Sequence, residues 1–137
     1  MAERSADADA TMPDAPDWAV VAARAADDKQ AIDVVVLDVG EVLAITGQFV
    51  IASAGNTRLV RSIAEDVEAV VAAAGGPRPR RTEGLDDLRW VLLDYGDFVV
   101  HVFLDEARHY YELERLWSDV PRIEWRPDEV PAEPSAG

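Results

Sequence analysis

The stretch Arg89-Trp90-Val91-Leu92-Leu93-Asp94-Tyr95-Gly96-Asp97-Phe98-Val99-Val100-His101-Val102-Phe103 limits what this chain can fold into more than any other. Two runs of β-branched, aromatic and leucine side chains flank Gly96-Asp97, the composition of a β-hairpin closed by a two-residue turn with glycine first. With that turn, Tyr95 faces Phe98, Leu93 faces Val100 and Val91 faces Val102, so one hairpin face is wholly apolar. Successive strand side chains point to opposite sides, so the other face pairs Asp94 with Val99, Leu92 with His101 and Trp90 with Phe103. That face mixes two large rings with two titratable groups, which makes it the expected recognition face.

The rest of the chain supplies partners for this hairpin. Residues 1–16 hold little that is large enough to bury and are expected to be a disordered acidic tail. Asp17 can cap a helix to about Lys29 with an apolar stripe of Trp18, Val21, Ala22 and Ala25. Asp33-Val34-Val35-Val36-Leu37-Asp38-Val39 is nearly continuous apolar sequence and reads as a central strand buried on both faces. A second strand is expected over Phe49–Ser53. The clearest helix follows, with Leu59, Val60, Ile63, Val67, Val70, Val71 and Ala74 at helical spacing, Asn56 or Thr57 as cap, and Gly75-Gly76 at the end. Pro77-Arg78-Pro79-Arg80-Arg81 is a stiff basic connection, and Arg81-Thr82-Glu83 can form a short edge strand.

After the hairpin, Asp105 can cap a last helix whose inner stripe is Ala107, Tyr110, Leu113, Leu116 and Trp117. Arg108 and Glu112, four apart, are expected to pair on its outer side. Residues 119–137 read as a mostly disordered acidic tail in which Trp125 is one possible anchor. Residues 17–118 are thus the expected domain, α/β in class, with a mixed β-sheet flanked by helices.

Composition excludes several classes of function. Half of the chain is apolar, enough for one core in 137 residues. No run approaches the roughly 18 uncharged apolar residues of a membrane span. Met1 is followed by Glu3, Asp7 and Asp9 instead of a basic and then apolar block, so no secretory signal is expected. Cysteine is absent, which fits a reducing compartment and points to the cytoplasm. Net charge is −14, and residues 17–118 carry eighteen acids against ten bases. Such a surface repels phosphate backbones and attracts basic proteins, so direct, extensive nucleic-acid binding is not expected.

Three groups of residues are candidate sites. Ser53-Ala54-Gly55-Asn56-Thr57 could offer a helix N-terminus to a phosphate, as a nucleotide-binding protein or nucleotidyltransferase would need. A strand-to-helix turn needs a flexible residue anyway, and Asp94 and Asp97 straddle a turn instead of sharing a strand face as metal-holding carboxylates do. His101 lies near Asp94 or Trp90, but neither a nucleophile nor a ligand pair at metal spacing accompanies it, so it reads as a structural or interface residue. Trp90, Tyr95 and Tyr111 are large rings rimmed by Asp94, Asp97, Glu112 and Glu114, the makeup of a hot spot aimed at a basic protein surface. No catalytic residue, metal or cofactor is expected.

Together, residues 29–39, Phe49-Val50-Ile51-Ala52, the hairpin from Trp90 to Phe103, and Tyr110-Tyr111-Glu112-Leu113-Glu114-Arg115-Leu116-Trp117 resemble the ribosomal silencing factor family, RsfS or Iojap, in order and spacing. The resemblance spans roughly Asp17 to Ser118. It implies a nucleotidyltransferase-like α/β fold without that activity, usually as a homodimer. It also implies binding to the large ribosomal subunit through its basic fourteenth protein, which blocks joining of the small subunit and represses translation in starvation or stationary phase. Carried over by motif, the partner-facing residues are Trp90, Asp94, Tyr95, Asp97 and His101, with Arg108, Tyr111 and Glu112 from the helix. The sequence departs from the family at Gly47-Gln48, where an Asp and an aromatic are usual.

Overall fold

The computed structural model describes residues 17–40, 46–111, 115 and 117–126. The elements are α1 (Trp18–Asp28), β1 (Ile32–Asp38), β2 (Gln48–Ala54), α2 (Thr57–Ala73), β3 (Arg81–Glu83), β4 (Trp90–Asp94), β5 (Phe98–Leu104) and α3 (Asp105–Tyr111). They form one five-stranded sheet in the order β1-β2-β5-β4-β3. Only β2 and β5 run parallel, paired residue for residue from Gln48↔Phe98 to Ala54↔Leu104. The remaining pairs are antiparallel. This is the mixed α/β sheet flanked by helices that the pattern implied.

The hairpin has the expected register, with Trp90 opposite Phe103, Leu92 opposite His101 and Asp94 opposite Val99. Its turn closes through Tyr95 N–H donating to Phe98 O at 3.0 Å, while Asp94 Oδ1 accepts from Gly96 N at 2.9 Å. Gly96 has φ +90°, a conformation that costs glycine little. The apolar face, Val91, Leu93, Tyr95, Phe98, Val100 and Val102, is buried in the main core with residues of α1 and α2.

α1 is capped by Asp17, as read from sequence, and α2 by Asn56, whose side chain accepts from Leu59 N. The buried face of α1 is rotated from the expected stripe: Ala19, Ala22, Ala23, Ala25 and Ala26 are buried, whereas Trp18 and Val21 are half-buried. Small side chains let the helix approach its neighbours closely, a demand that the large residues of the expected stripe concealed.

β1 is not central. It forms the sheet edge, and the polypeptide beyond Ser118 runs back along it. Asp38 N donates to Pro121 O at 2.9 Å and Ile123 N to Val36 O at 2.8 Å. Trp125 is buried and donates Nε1–H to Val34 O at 3.1 Å, while Arg24 Nε donates to Trp125 O at 3.0 Å. The continuous apolar run reports that both faces are covered, but it carries no information about hydrogen-bonded neighbours. Residues 119–126, assigned to a tail from composition, therefore pack on the sheet through the Trp125 anchor. The expected tails at 1–16 and 127–137, and Leu113 and Leu116 of the last stripe, lie outside the described residues.

Near its start β1 carries an irregularity between Ile32 and Val35, with Asp33 at φ 49°. The carbonyls turned out there find partners: Ser53 Oγ donates to Ile32 O at 3.1 Å and Arg108 Nη1 to Asp33 O at 2.9 Å. Among the described residues, no helix is long and apolar enough to cross a membrane.

Trp125→Ala removes both a buried ring and the cover of the β1 edge. It should cost about 3–5 kcal/mol, the usual range for a large ring deleted from a core, measured by urea denaturation. An unchanged midpoint would show that the segment contributes nothing to the fold.

Candidate functional site

The two sheet faces are covered unequally. α1 and α2 bury the first face, whereas α3 with Trp117 and Val120 packs on Leu37, Ile51 and Phe103 of the second. Toward β4 and β3 the second face is more open: Trp90 is 40% exposed. Leu92, Asp94 and Val99 are half-buried there. The period-two alternation of the hairpin put these side chains on one face, and the parallel β2–β5 pairing adds Phe49 beside Val99.

The anchor of this region is the pair Trp90 and His101. The indole Nε1–H donates to His101 Nδ1 at 3.0 Å, and the Trp90 ring lies 4.9 Å from that of Phe103. Phe49 meets the imidazole edge to face at 4.6 Å and Trp117 at 5.3 Å. An Nδ1 that accepts a hydrogen bond leaves the imidazole proton on Nε2. That Nε2 is buried without a hydrogen-bond partner among the described residues, as is the Thr46 hydroxyl. Burial pushes the imidazole down to about 4, so it is neutral at physiological pH.

Beside the pair, a cavity of ≈ 360 Å³ opens between Phe49, Leu92, Val99 and His101 and the basic residues Arg80 and Arg81. Arg80 lies over the turn: a Cβ at Gly96 would sit 2.6 Å from its Nη1, the movable end of that side chain, so it is the positive φ that calls for glycine there. Arg81 pairs with Glu83 at 3.0 Å and approaches Asp94 at 3.8 Å. The acidic rim expected from sequence is therefore mixed in charge, because β3 carries the basic connection alongside Asp94.

The candidates from sequence fall into separate places. Trp90, Asp94 and His101 share the second face, with His101 supporting Trp90 from below at 7% exposure. Asp97 is exposed at the hairpin tip. Tyr95 projects to the opposite face, buried and stacked on Phe98 at 4.5 Å, where burial and then Glu68 push its hydroxyl up to about 12. It offers nothing to a partner, which follows from the strand alternation that already paired it with Phe98. Arg108 is also inside, 3% exposed and donating to Asp33 O and Ser53 Oγ, instead of lying on the outer side of its helix. The bulge in β1, invisible in the sequence, created the carbonyl that draws it in. Glu112 and the Tyr111 side chain lie outside the described residues. Leu92 and Val99 stand on this face as the strand alternation placed them; Phe49, Thr46 and Arg80 arrive through non-local pairing and left no local signal.

The strand-to-helix turn at Gly55 engages its polar groups internally. Asn56 Oδ1 accepts from Leu59 N at 2.8 Å, and Ser53 Oγ bridges Ile32 O and Arg108. A Cβ at Gly55 would meet nothing within 4 Å, so this glycine does not serve close approach to a neighbouring group. Among the described residues, no group of three or more His, Cys, Asp or Glu side chains is placed to hold a metal ion.

Fold and site together define an α/β protein with one mixed sheet, fully covered on one side and partly open on the other around an exposed tryptophan. A family model described as "Ribosomal silencing factor during starvation" matches residues 12–136. A ribosomal silencing factor of Bacillus subtilis is 41% identical over 101 residues, 74% of this chain and 85% of that protein. Among solved structures, a Chromobacterium violaceum protein superimposes with a TM-score of 0.69 at 32% identity, covering 74% of this chain and 83% of that one. One from Bacillus halodurans gives 0.65 at 38% identity, covering 76% and 93%. The chain belongs to the ribosomal silencing factor family, as its motifs had indicated.

A buried neutral histidine sets a pH dependence with a definite sign. Its folded value, about 4, lies below the ordinary 6.5, so the unfolded chain binds the proton first and stability falls as pH drops from about 6.5 towards 4. Between pH 7 and pH 5 the parent should lose about 2 kcal/mol more than His101→Gln, read from denaturation midpoints at both pH values. Parallel losses would mean that His101 is solvated in the folded chain.

Proposed function

We propose that this chain represses translation by docking on the large ribosomal subunit through its basic fourteenth protein, so that the small subunit cannot join. The docking face is the open half of the sheet, and the exposure of Trp90 there carries the reading. A tryptophan left 40% exposed while its N–H is held by a buried neighbour is a preorganised anchor. Large rings in fixed orientation lose little conformational entropy on binding and dominate interface energies. Asp97 is exposed at the tip of the same hairpin, and the chain carries −14 overall, which favours approach to a basic protein and disfavours bare nucleic acid. Repression by occlusion needs only this complementary surface, and no reaction takes place on it. Action in the cytoplasm as a homodimer is part of the same proposal and follows the family resemblance.

Cosedimentation with purified large subunits provides the test. Trp90→Ala should weaken binding more than about thirtyfold, as expected for an interface hot spot of 2 kcal/mol or more. Asp97→Lys, at the exposed tip, should weaken it less and reduce its salt sensitivity. Both variants should keep the parent circular dichroism spectrum and lose the block on subunit joining in step with binding. Undiminished cosedimentation of folded Trp90→Ala would reject this face.

A further inference from the structure

The cavity beside Trp90 has a one-sided hydrogen-bonding character. The Thr46 hydroxyl and the His101 Nε2–H are both buried in residues of its wall, and neither has a partner among the described residues. Arg80 lies at its rim over Gly96, and no carboxylate among the described residues pairs with it. The acid in the lining, Asp94, is already engaged, with Oδ1 on Gly96 N and Oδ2 toward Arg81. Donors therefore outnumber available acceptors, and buried donors without partners are uncommon in folded proteins. The floor between them is apolar, made by Phe49, Leu92 and Val99.

We propose that this cavity receives an acidic side chain of the docking partner, a carboxylate on a short methylene stem as in glutamate. A carboxylate only accepts, which answers Arg80, the His101 Nε2–H and a Thr46 hydroxyl able to donate, and it forms the strongest hydrogen bonds with a guanidinium. The methylenes match the apolar floor. A ribosomal RNA phosphate has no such stem, and the acidic chain as a whole repels it. Small side-chain adjustments, common at interfaces, bring Thr46 and His101 into reach of the inserted group. The inference rests on the docking reading above and adds to it an acid entering between basic residues, opposite in sign to the basic contact of the exposed Asp97.

The test uses the full-length chain, purified large subunits and a set of single substitutions. Arg80→Gln should weaken cosedimentation about tenfold or more, whereas Arg78→Gln, which removes the same charge from the same basic connection, should change it less than twofold. Thr46→Val should weaken binding about tenfold, the effect of one hydrogen bond to a charged group, while raising the Tm of the free chain by about 3 °C because an unpaired hydroxyl is gone. Thr46→Ser, which keeps the hydroxyl, should bind like the parent, and the opposite signs for Thr46→Val exclude a merely structural role for Thr46. If Arg80→Gln and Thr46→Val bind like the parent while Trp90→Ala does not, the cavity stays empty and this proposal is overturned with the docking face intact. Equal weakening by Arg80→Gln and Arg78→Gln would also overturn it, in favour of a general attraction to RNA phosphate. Parental binding by all of these variants, Trp90→Ala included, would remove the docking face itself.

Discussion

The parallel pairing of β2 with β5 is the interaction on which the rest of this structure depends. It joins Gln48–Ala54 to Phe98–Leu104 without a break, although fifty residues of chain separate the paired positions. A parallel pair needs a long crossover, and α2 supplies it on the first face of the sheet. Through this pairing the local hairpin β4–β5 becomes the centre and one flank of a five-stranded sheet, and β1 is carried to the opposite edge. The core then forms where the apolar hairpin face meets α1 and α2.

The same pairing creates the site. It sets Phe49 beside Val99 and Ile51 beside His101, so the imidazole is enclosed by Phe49, Phe103 and Trp90. Enclosure keeps His101 neutral, and neutrality fixes which nitrogen accepts from Trp90 and which carries the proton. An exposed ring is thus held by a buried one of the same hairpin, and Phe49 of β2 supplies an enclosure that the hairpin alone would lack. β3 brings Arg80 and Arg81 alongside Asp94, and the charge of the face becomes mixed. A surface of this kind distinguishes partners by the placement of charge as well as by its sign.

The edge of the sheet shows a different use of the same chemistry. β1 is nearly all apolar, and left bare it would offer a pairing template to other chains. Residues 121–126 occupy that edge with backbone hydrogen bonds, and Trp125 fastens them to Val34 O and Arg24. Arg126 stacks over the Trp125 ring at 4.2 Å and pairs with Asp27 at 3.2 Å, which ties the segment to the end of α1.

The sequence by itself determined the hairpin, its register and its turn, the caps Asp17 and Asn56, the helix α2 and the short strand β3. All of these are local: period-two and period-3.6 patterns, a glycine that tolerates positive φ, and side chains that cap within three residues. It also determined the family, because the hairpin and the last helix carry its motifs. Only the tertiary structure decided that β1 is an edge, that Arg108 turns inward to a bulge carbonyl, and that Tyr95 is sealed while Trp90 is not. Alternation tells which side chains share a face, but exposure depends on what packs against that face, and those elements arrive from distant parts of the chain. The cavity between Thr46, Arg80 and His101 has the same origin, since its walls come from three segments that meet only once the sheet has formed.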